Sequence, residues 1–367
     1  MAFPTGWGRK CSVTIDNTKV SGSANHSDFP VLLTEDNLPS EMFDADGSYP
    51  ANSDGGDIRF TSDEAGTTEL AREVVEFTRD NDPANGTAQI WVKVPTLDYN
   101  DDTVIYVFYN NSGASEPAAD STYGSEAVWS GYDGVWHLEE DPSGSSPQMI
   151  DSSANDNDGT SSGSMSSGDS ISAKISNGLD FDGSNDLITT SDTAIGNGYT
   201  SLFMSVWVKS SDTSGYLVAK NNGSIDNLQV YISGGNVIAK IRNTSTSYNL
   251  TVGTTASIMD GNWKKIDVLW SGSTFSVFLN GSFVTSASVS GTMTTYTEPL
   301  EFAGRGSDND QYMAGVLDEI RIAEKSVSSD WIATEYANQN APDTFSEAGT
   351  PEDVDGVTNT SNFFQLF

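Results

Sequence analysis

The stretch AGVLDEIRI, Ala314 to Ile322, decides how the second half of the chain folds. Val316, Leu317, Ile320 and Ile322 suit a β-strand, yet Asp318 and Glu319 stand side by side in its middle. Strand side chains alternate faces. On strict alternation Asp318 joins Val316, Ile320 and Ile322, while Leu317, Glu319 and Arg321 line the other, half-exposed face. The reading leaves a carboxylate in line with three apolar residues and places Glu319 at the surface beside Arg321.

Outward from that strand the chain repeats one texture. Toward the N-terminus lie VWHLE (135–139), GLDFD (178–182), FMSVWVK (203–209), YLVAK (216–220), LQVYIS (228–233), VIAKI (237–241), KKIDVLW (264–270), FSVFLN (275–280) and LEFAG (300–304). Regularly spaced short strands with Gly- and Asn-rich turns predict two stacked antiparallel sheets. SGGN (233–236) and LNGS (279–282) predict hairpin turns, with glycine supplying positive φ. SSDWIATEYANQ (328–339) is the best helix, capped by Ser328 or Ser329, with Trp331, Ile332 and Tyr336 on one side. The run SSGSMSSGDS (161–170) predicts a flexible surface loop.

Residues 1 to about 126 hold a first set: CSVTI, FPVLL, DIRFT, REVVEF, AQIWVKV and TVIYVFY. In AQIWVKV, Ile90, Val92 and Val94 face one way and Gln89, Trp91 and Lys93 the other. The expected fold class is therefore all-β: two consecutive β-sandwich domains, 1–126 and 127–343, then a polar tail, 344–367. That tail ends in an apolar tip at Phe363, Phe364, Leu366 and Phe367.

Composition bounds function. The chain has 367 residues, 52 Asp and Glu against 17 Lys and Arg, and a formal charge of −35. Such a chain repels nucleic acid and anionic membranes. With Cys11 alone, no intrachain disulfide forms. The start MAFPTGWGRKCSVTI has no apolar signal core, so no signal peptide is expected. Synthesis in the cytoplasm is the expectation, with release inside an assembled particle as one route outward. No run approaches the ~18 apolar residues of a membrane span.

The pieces VWHLEE, DSSANDNDG, GLDFDG, SVWVKS, NWKKIDVLW, VFLNG, GVLDEIRI and DWIATEYANQ, in that order, resemble laminin-G-like, concanavalin A-like lectin jelly rolls over 127–343. GWGRKCSVTI, DFPVLL, GGDIRF, ELAREVVEF, AQIWVKVP and TVIYVFYNN resemble an uncharacterised β-sandwich family that precedes such jelly rolls. The pairing, acidic and without a signal peptide, resembles structural proteins of marine phages.

That resemblance implies a phage virion surface protein on a tail, fibre or capsid exterior. It implies multicopy or homo-oligomeric display among other virion proteins, with a jelly roll that binds host-surface or environmental glycans. The alternative is a secreted or cell-surface carbohydrate-binding adhesin of a marine bacterium. It also implies a structural Ca²⁺ held by Asp318 with backbone carbonyls. The competing reading bonds Asp318 to backbone N–H groups or to Lys or Arg.

DSSANDNDG (151–159) places Asp156 and Asp158 at the third and fifth positions of an EF-hand loop. Ala154 stands at the first position and Met165 at the twelfth, so it is no EF-hand. FDADG (43–47) and LDFDG (179–183) are similar half-matches. Asx-rich turns also arise for backbone reasons. Taken with the resemblance, Asp151 is the strongest candidate ligand of the run.

Jelly-roll glucanases carry an E-x-D-x-x-E strand, and that spacing is absent here. Retaining glycosidases need carboxyls ~5 Å apart, and alternation points Asp318 and Glu319 to opposite faces. The chain is expected not to be an enzyme. Sugars stack on exposed aromatic rings, and the candidates are Trp270, Tyr231, Tyr248 and Tyr312. Two histidines, His26 and His137, are too few for a His-rich metal site, and His137 is expected to be structural.

Overall fold

The computed structural model describes residues 3–221, 226–244, 246–252, 258–305 and 311–354. The chain forms two units, residues 1–128 with 337–367, and 129–336. The tip Phe363, Phe364, Leu366 and Phe367 lies outside the described residues.

In the first unit, among the described residues, seven strands before residue 110 and two short ones near the C-terminus form two antiparallel sheets. The seven are β1 (Arg9–Ile15), β2 (His26–Thr34), β3 (Arg59–Thr61), β4 (Glu69–Leu70), β5 (Arg72–Thr78), β6 (Thr87–Leu97) and β7 (Thr103–Tyr109). One sheet runs β1–β7–β3–β4 and the other β2–β6–β5. Alternation places Val13, Ile15, Val31, Leu33, Ile90 and Val92 in the buried interior. On the second face of β6, Gln89 and Trp91 are buried too. Residues 344–354, expected as the start of a tail, instead return to this unit. Ser346–Ala348 and Glu352–Asp353 both pair with β1. Such short strands carry too little pattern to be read, since their partner lies some 330 residues away in sequence.

The second unit is a sandwich of two antiparallel sheets. One runs β10 (Ser170–Ser172), β11 (Asn177–Asp182), β22 (Ala314–Ala323), β13 (Leu202–Lys209), β18 (Trp263–Trp270), β19 (Thr274–Leu279), β20 (Ser282–Ser288), with β8 (Gly134–Trp136) also on β22. The other runs β17 (Ser247–Val252), β16 (Asn236–Arg242), β15 (Asp226–Ser233), β14 (Ser214–Asn221), β21 (Glu301–Phe302), β12 (Leu187–Thr190), β9 (Gly159–Ser162). The run 161–170, expected as a loop, also supplies the end of β9 and the first residue of β10.

Between the sheets lies one apolar core that includes Trp136, Phe181, Val206, Val230, Ile266, Trp270, Phe302, Leu317, Ile320 and Ile322. Both predicted hairpin turns form. Gly234 and Gly235 join β15 to β16, and Asn280 and Gly281 join β19 to β20, all four with positive φ. Two positive φ values in a two-residue loop match the right-handed twist of the flanking strands.

The helix spans Ser329–Asn340. Ser328 caps it, its Oγ accepting from the Trp331 N–H at 3.0 Å. No described helix is long and apolar enough to cross a membrane.

Candidate functional site

The strand that decides the fold carries a β-bulge. Along the β13–β22 ladder, Trp207 pairs with Asp318 and Ser205 with Arg321. One residue of β13 thus faces two of β22. Glu319 takes up the surplus with a φ of +53. Alternation resets there, which corrects the expected facing. Leu317, Ile320 and Ile322 enter the sandwich core, whereas Asp318, Glu319 and Arg321 share the opposite face of the sheet. That face is not solvated: Glu319 is 1% exposed and Arg321 0%. Glu319, expected at the surface, is a buried charge.

Its burial is compensated by an ion-pair chain. His137 Nδ1 meets Glu319 Oε1 at 2.7 Å, and Arg321 Nη2 donates to Glu319 Oε2 at 2.6 Å. Arg321 Nη1 donates to Glu335 Oε1 at 3.1 Å, and Lys265 Nζ to Glu335 Oε2 at 2.8 Å. Lys265 Nζ also donates to Asp267 Oδ1. The Arg321 guanidinium lies 4.6 Å from the Trp129 ring centre, a cation–π contact.

Glu335 reaches the sheet because the helix Ser329–Asn340 presents it there. Burial works to raise the Glu319 carboxyl, but His137 and Arg321 outweigh it, so its pKa falls below the ordinary value. For Glu335, burial is likewise outweighed by Lys265 and Arg321. Burial pushes Asp267 up to about 6, against the opposing pull of Lys265. Asp267, Glu319 and Glu335 carry three negative charges, and Lys265 and Arg321 two positive ones. A proton on Asp267, whose pKa burial raises, brings these five groups to neutrality.

Asp318 stands apart from this network. Its Oδ2 accepts the backbone N–H groups of Lys174 at 3.0 Å and Ile175 at 2.8 Å. Its Oδ1 is buried without a hydrogen-bond partner. Burial first, and the Glu319 charge second, hold its pKa well above the ordinary range, against those two donors. A buried carboxylate oxygen without a partner is satisfied by a proton on the carboxyl or by a hard cation, and Oδ1 is the Asp318 atom open to either.

Asp151 does not fit the expected ligand role. Its Oδ1 accepts from the N–H groups of Val135 and Ser153, and its Oδ2 from Ser153 Oγ and the Asn157 N–H, all at 2.9 Å. It organises its own loop instead. Among the described residues, no group of three or more His, Cys, Asp or Glu side chains is placed to hold a metal ion.

The predicted sugar-stacking residues separate. Trp270 lies in the sandwich core at 0% exposure, its indole N–H donating to the Val289 carbonyl at 3.3 Å. No face of its ring is free for a sugar, which corrects that expectation. Tyr231 is half-buried, its ring centre 5.3 Å from that of Tyr216. Tyr312 is half-buried against Gly304, where a Cβ would come within 2.7 Å of its ring. Tyr248 is half-buried and packs against the core. Trp207 is buried, stacked on Tyr336 with ring centres 5.7 Å apart.

Residues 182–333 match the family described as the concanavalin A-like lectin/glucanases superfamily. Residues 54–135 match a domain of unknown function, DUF2341. Among solved structures, the chain is similar to the binding domain of Paraclostridial Mosquitocidal Protein 1, at 14% identity and a TM-score of 0.43, over 55% of this chain and 51% of that one. It is also similar to the Botulinum Neurotoxin Type G receptor binding domain, at 15% identity and a TM-score of 0.42, over 57% and 52%. A third is the receptor binding domain of botulinum neurotoxin D, at 13% identity and a TM-score of 0.43, over 57% and 53%. The chain thus spans about half the length of these structures. It has no match among curated proteins. The chain carries a concanavalin A-like, laminin-G-like jelly-roll domain behind a domain of unknown function.

Proposed function

We propose that this protein is a non-catalytic carbohydrate-binding or adhesive protein, with the jelly roll as its binding unit, displayed in many copies on the outside of a phage particle. The match of 182–333 to a lectin and glucanase superfamily carries the binding part of this reading. The lectin side of that superfamily is favoured by the carboxylates of the decisive strand. Glu319 is held by His137 and Arg321, and Asp318 by two backbone N–H groups. A glycosidase needs a carboxyl pair directed at substrate, and these two serve the fold. The acidic composition and the resemblance to marine phage structural proteins support the particle setting.

Calcium belongs to the same reading, with Asp318 Oδ1 as its ligand and a structural role. A glycan array spanning neutral, sialylated and sulfated sugars, probed with and without calcium, tests the binding role. Binding to a defined class supports it, and silence across the array under both conditions overturns it. Mass spectrometry of purified particles tests the setting, which fails if the chain is absent from them.

A further inference from the structure

Beside the loop DSSANDNDG, one edge of the seven-stranded sheet borders an open cleft of about 520 Å³. Its lining includes Asp156, Asp158, Thr160, Thr189, Ser191 and Pro147. Thr160 on β9 pairs directly with Thr189 on β12, and Ile188 points into the core, so both threonines stand on the outer face.

The loop is held from beneath. Buried Asp151 binds the Asn157 N–H, its own N–H donates to Asp158 Oδ1 at 2.9 Å, and the Ser191 N–H donates to the Asp158 carbonyl at 2.9 Å. Asp156 and Ser191 remain exposed. The volume falls in the range of about 300–1,000 Å³ typical of small-ligand sites.

We infer that this cleft is a glycan subsite of the jelly roll and that it takes a neutral sugar with adjacent free hydroxyls. Carboxylates at Asp156 and Asp158 accept paired sugar O–H donors, and charge-assisted bonds of this kind are the strong ones. Hydroxyls of Thr189 and Ser191 complete a polar rim. The Pro147 ring and the threonine methyls supply an apolar surface for the sugar's C–H face. Among the described residues, no Lys, Arg or His lines the cleft, so sialylated, uronic or sulfated sugars meet two negative charges and no counter-charge there. The inference rests on the glycan-binding reading above and names its site and sugar class. It also assigns the acidic run its parts: Asp151 builds the loop, while Asp156 and Asp158 face the ligand.

The test uses the full chain on an array of neutral, sialylated and sulfated glycans, with the wild type beside Asp156→Ala, Thr160→Arg and Tyr231→Ala. Asp156 and Thr160 are exposed; Asp156 holds a φ of +51, where alanine is strained, so a modest fall in melting temperature is expected for Asp156→Ala and none for Thr160→Arg, with every variant folded at the assay temperature. The expected result is neutral-glycan binding by the wild type, weakened about tenfold or more by Asp156→Ala, the scale of losing a hydrogen bond to a charged group, and abolished by Thr160→Arg. Tyr231→Ala tests the stacking candidate instead: binding lost there and retained in both cleft variants overturns the subsite. A wild type that binds neutral glycans while both cleft variants bind equally well overturns the subsite and spares the lectin reading. A preference for anionic glycans overturns the sugar class. A wild type that binds nothing overturns the lectin reading itself.

Discussion

Arg321 and Glu335 lie 14 residues apart in sequence, one on the bulged strand and one on the helix, and meet as a fully buried ion pair at 3.1 Å. The contact ties the helix to the outer face of the sheet. It exists because the bulge at Glu319 turns Arg321 away from the sandwich core.

Removing one partner of a buried pair leaves an uncompensated charge, at a cost of about 3–5 kcal/mol. Glu335→Ala removes one partner each from Arg321 and Lys265, which keep Glu319 and Asp267, so a loss at the lower end of that range is expected in urea unfolding. Glu335→Gln, which keeps two polar atoms, should cost less. A stability within 1 kcal/mol of wild type for Glu335→Ala would show that the network does not hold the helix.

The pH response follows from Asp267, whose folded pKa of about 6 lies above its ordinary value. The folded state then binds the proton more tightly than the unfolded chain. This group's contribution is most favourable below the unfolded pKa of about 4 and is lost as pH rises toward 6. Glu319 and Glu335, with lowered values, act in the opposite sense at lower pH. Asp267→Asn should flatten the wild-type fall in stability between about pH 4 and pH 6. Parallel profiles for the two proteins would refute this assignment.

Calcium at Asp318 predicts that EDTA lowers the wild-type melting temperature. Asp318→Asn should reproduce the fall and remove any further response to EDTA. Calcium added back should restore the wild type alone. A wild type indifferent to EDTA would leave Asp318 with its backbone hydrogen bonds as its sole role.

At the helix start, Ser328 Oγ satisfies an amide that has no partner within the helix. Ser328→Ala should destabilise the protein by about 1 kcal/mol, and Ser328→Asp should retain most of the stability, as a competent cap. Thermal unfolding of the three proteins checks both. Equal melting points for Ser328→Ala and wild type would mean that packing of Trp331 and Ile332 alone sets the helix start.

What the chain discloses on its own is local. Alternating residues and paired turn glycines mark the strands of both sandwiches, and a serine before SDWIATEY marks the helix. These features depend on neighbours within a few residues, so one sequence suffices to read them. The face on which Asp318, Glu319 and Arg321 lie is decided otherwise, because a bulge depends on the register of the partner strand, here Trp207 opposite Asp318. Burial of Glu319 depends on His137, 182 residues away. Asp151 looks like a ligand in its acidic run, and only the fold shows that Val135, Ser153 and Asn157 surround it with donors. Trp270 alternates like its neighbours, and only sheet stacking places it in the core. Local periodicity specifies the elements, whereas the fate of each charge within them is set by long-range pairing that the sequence does not display.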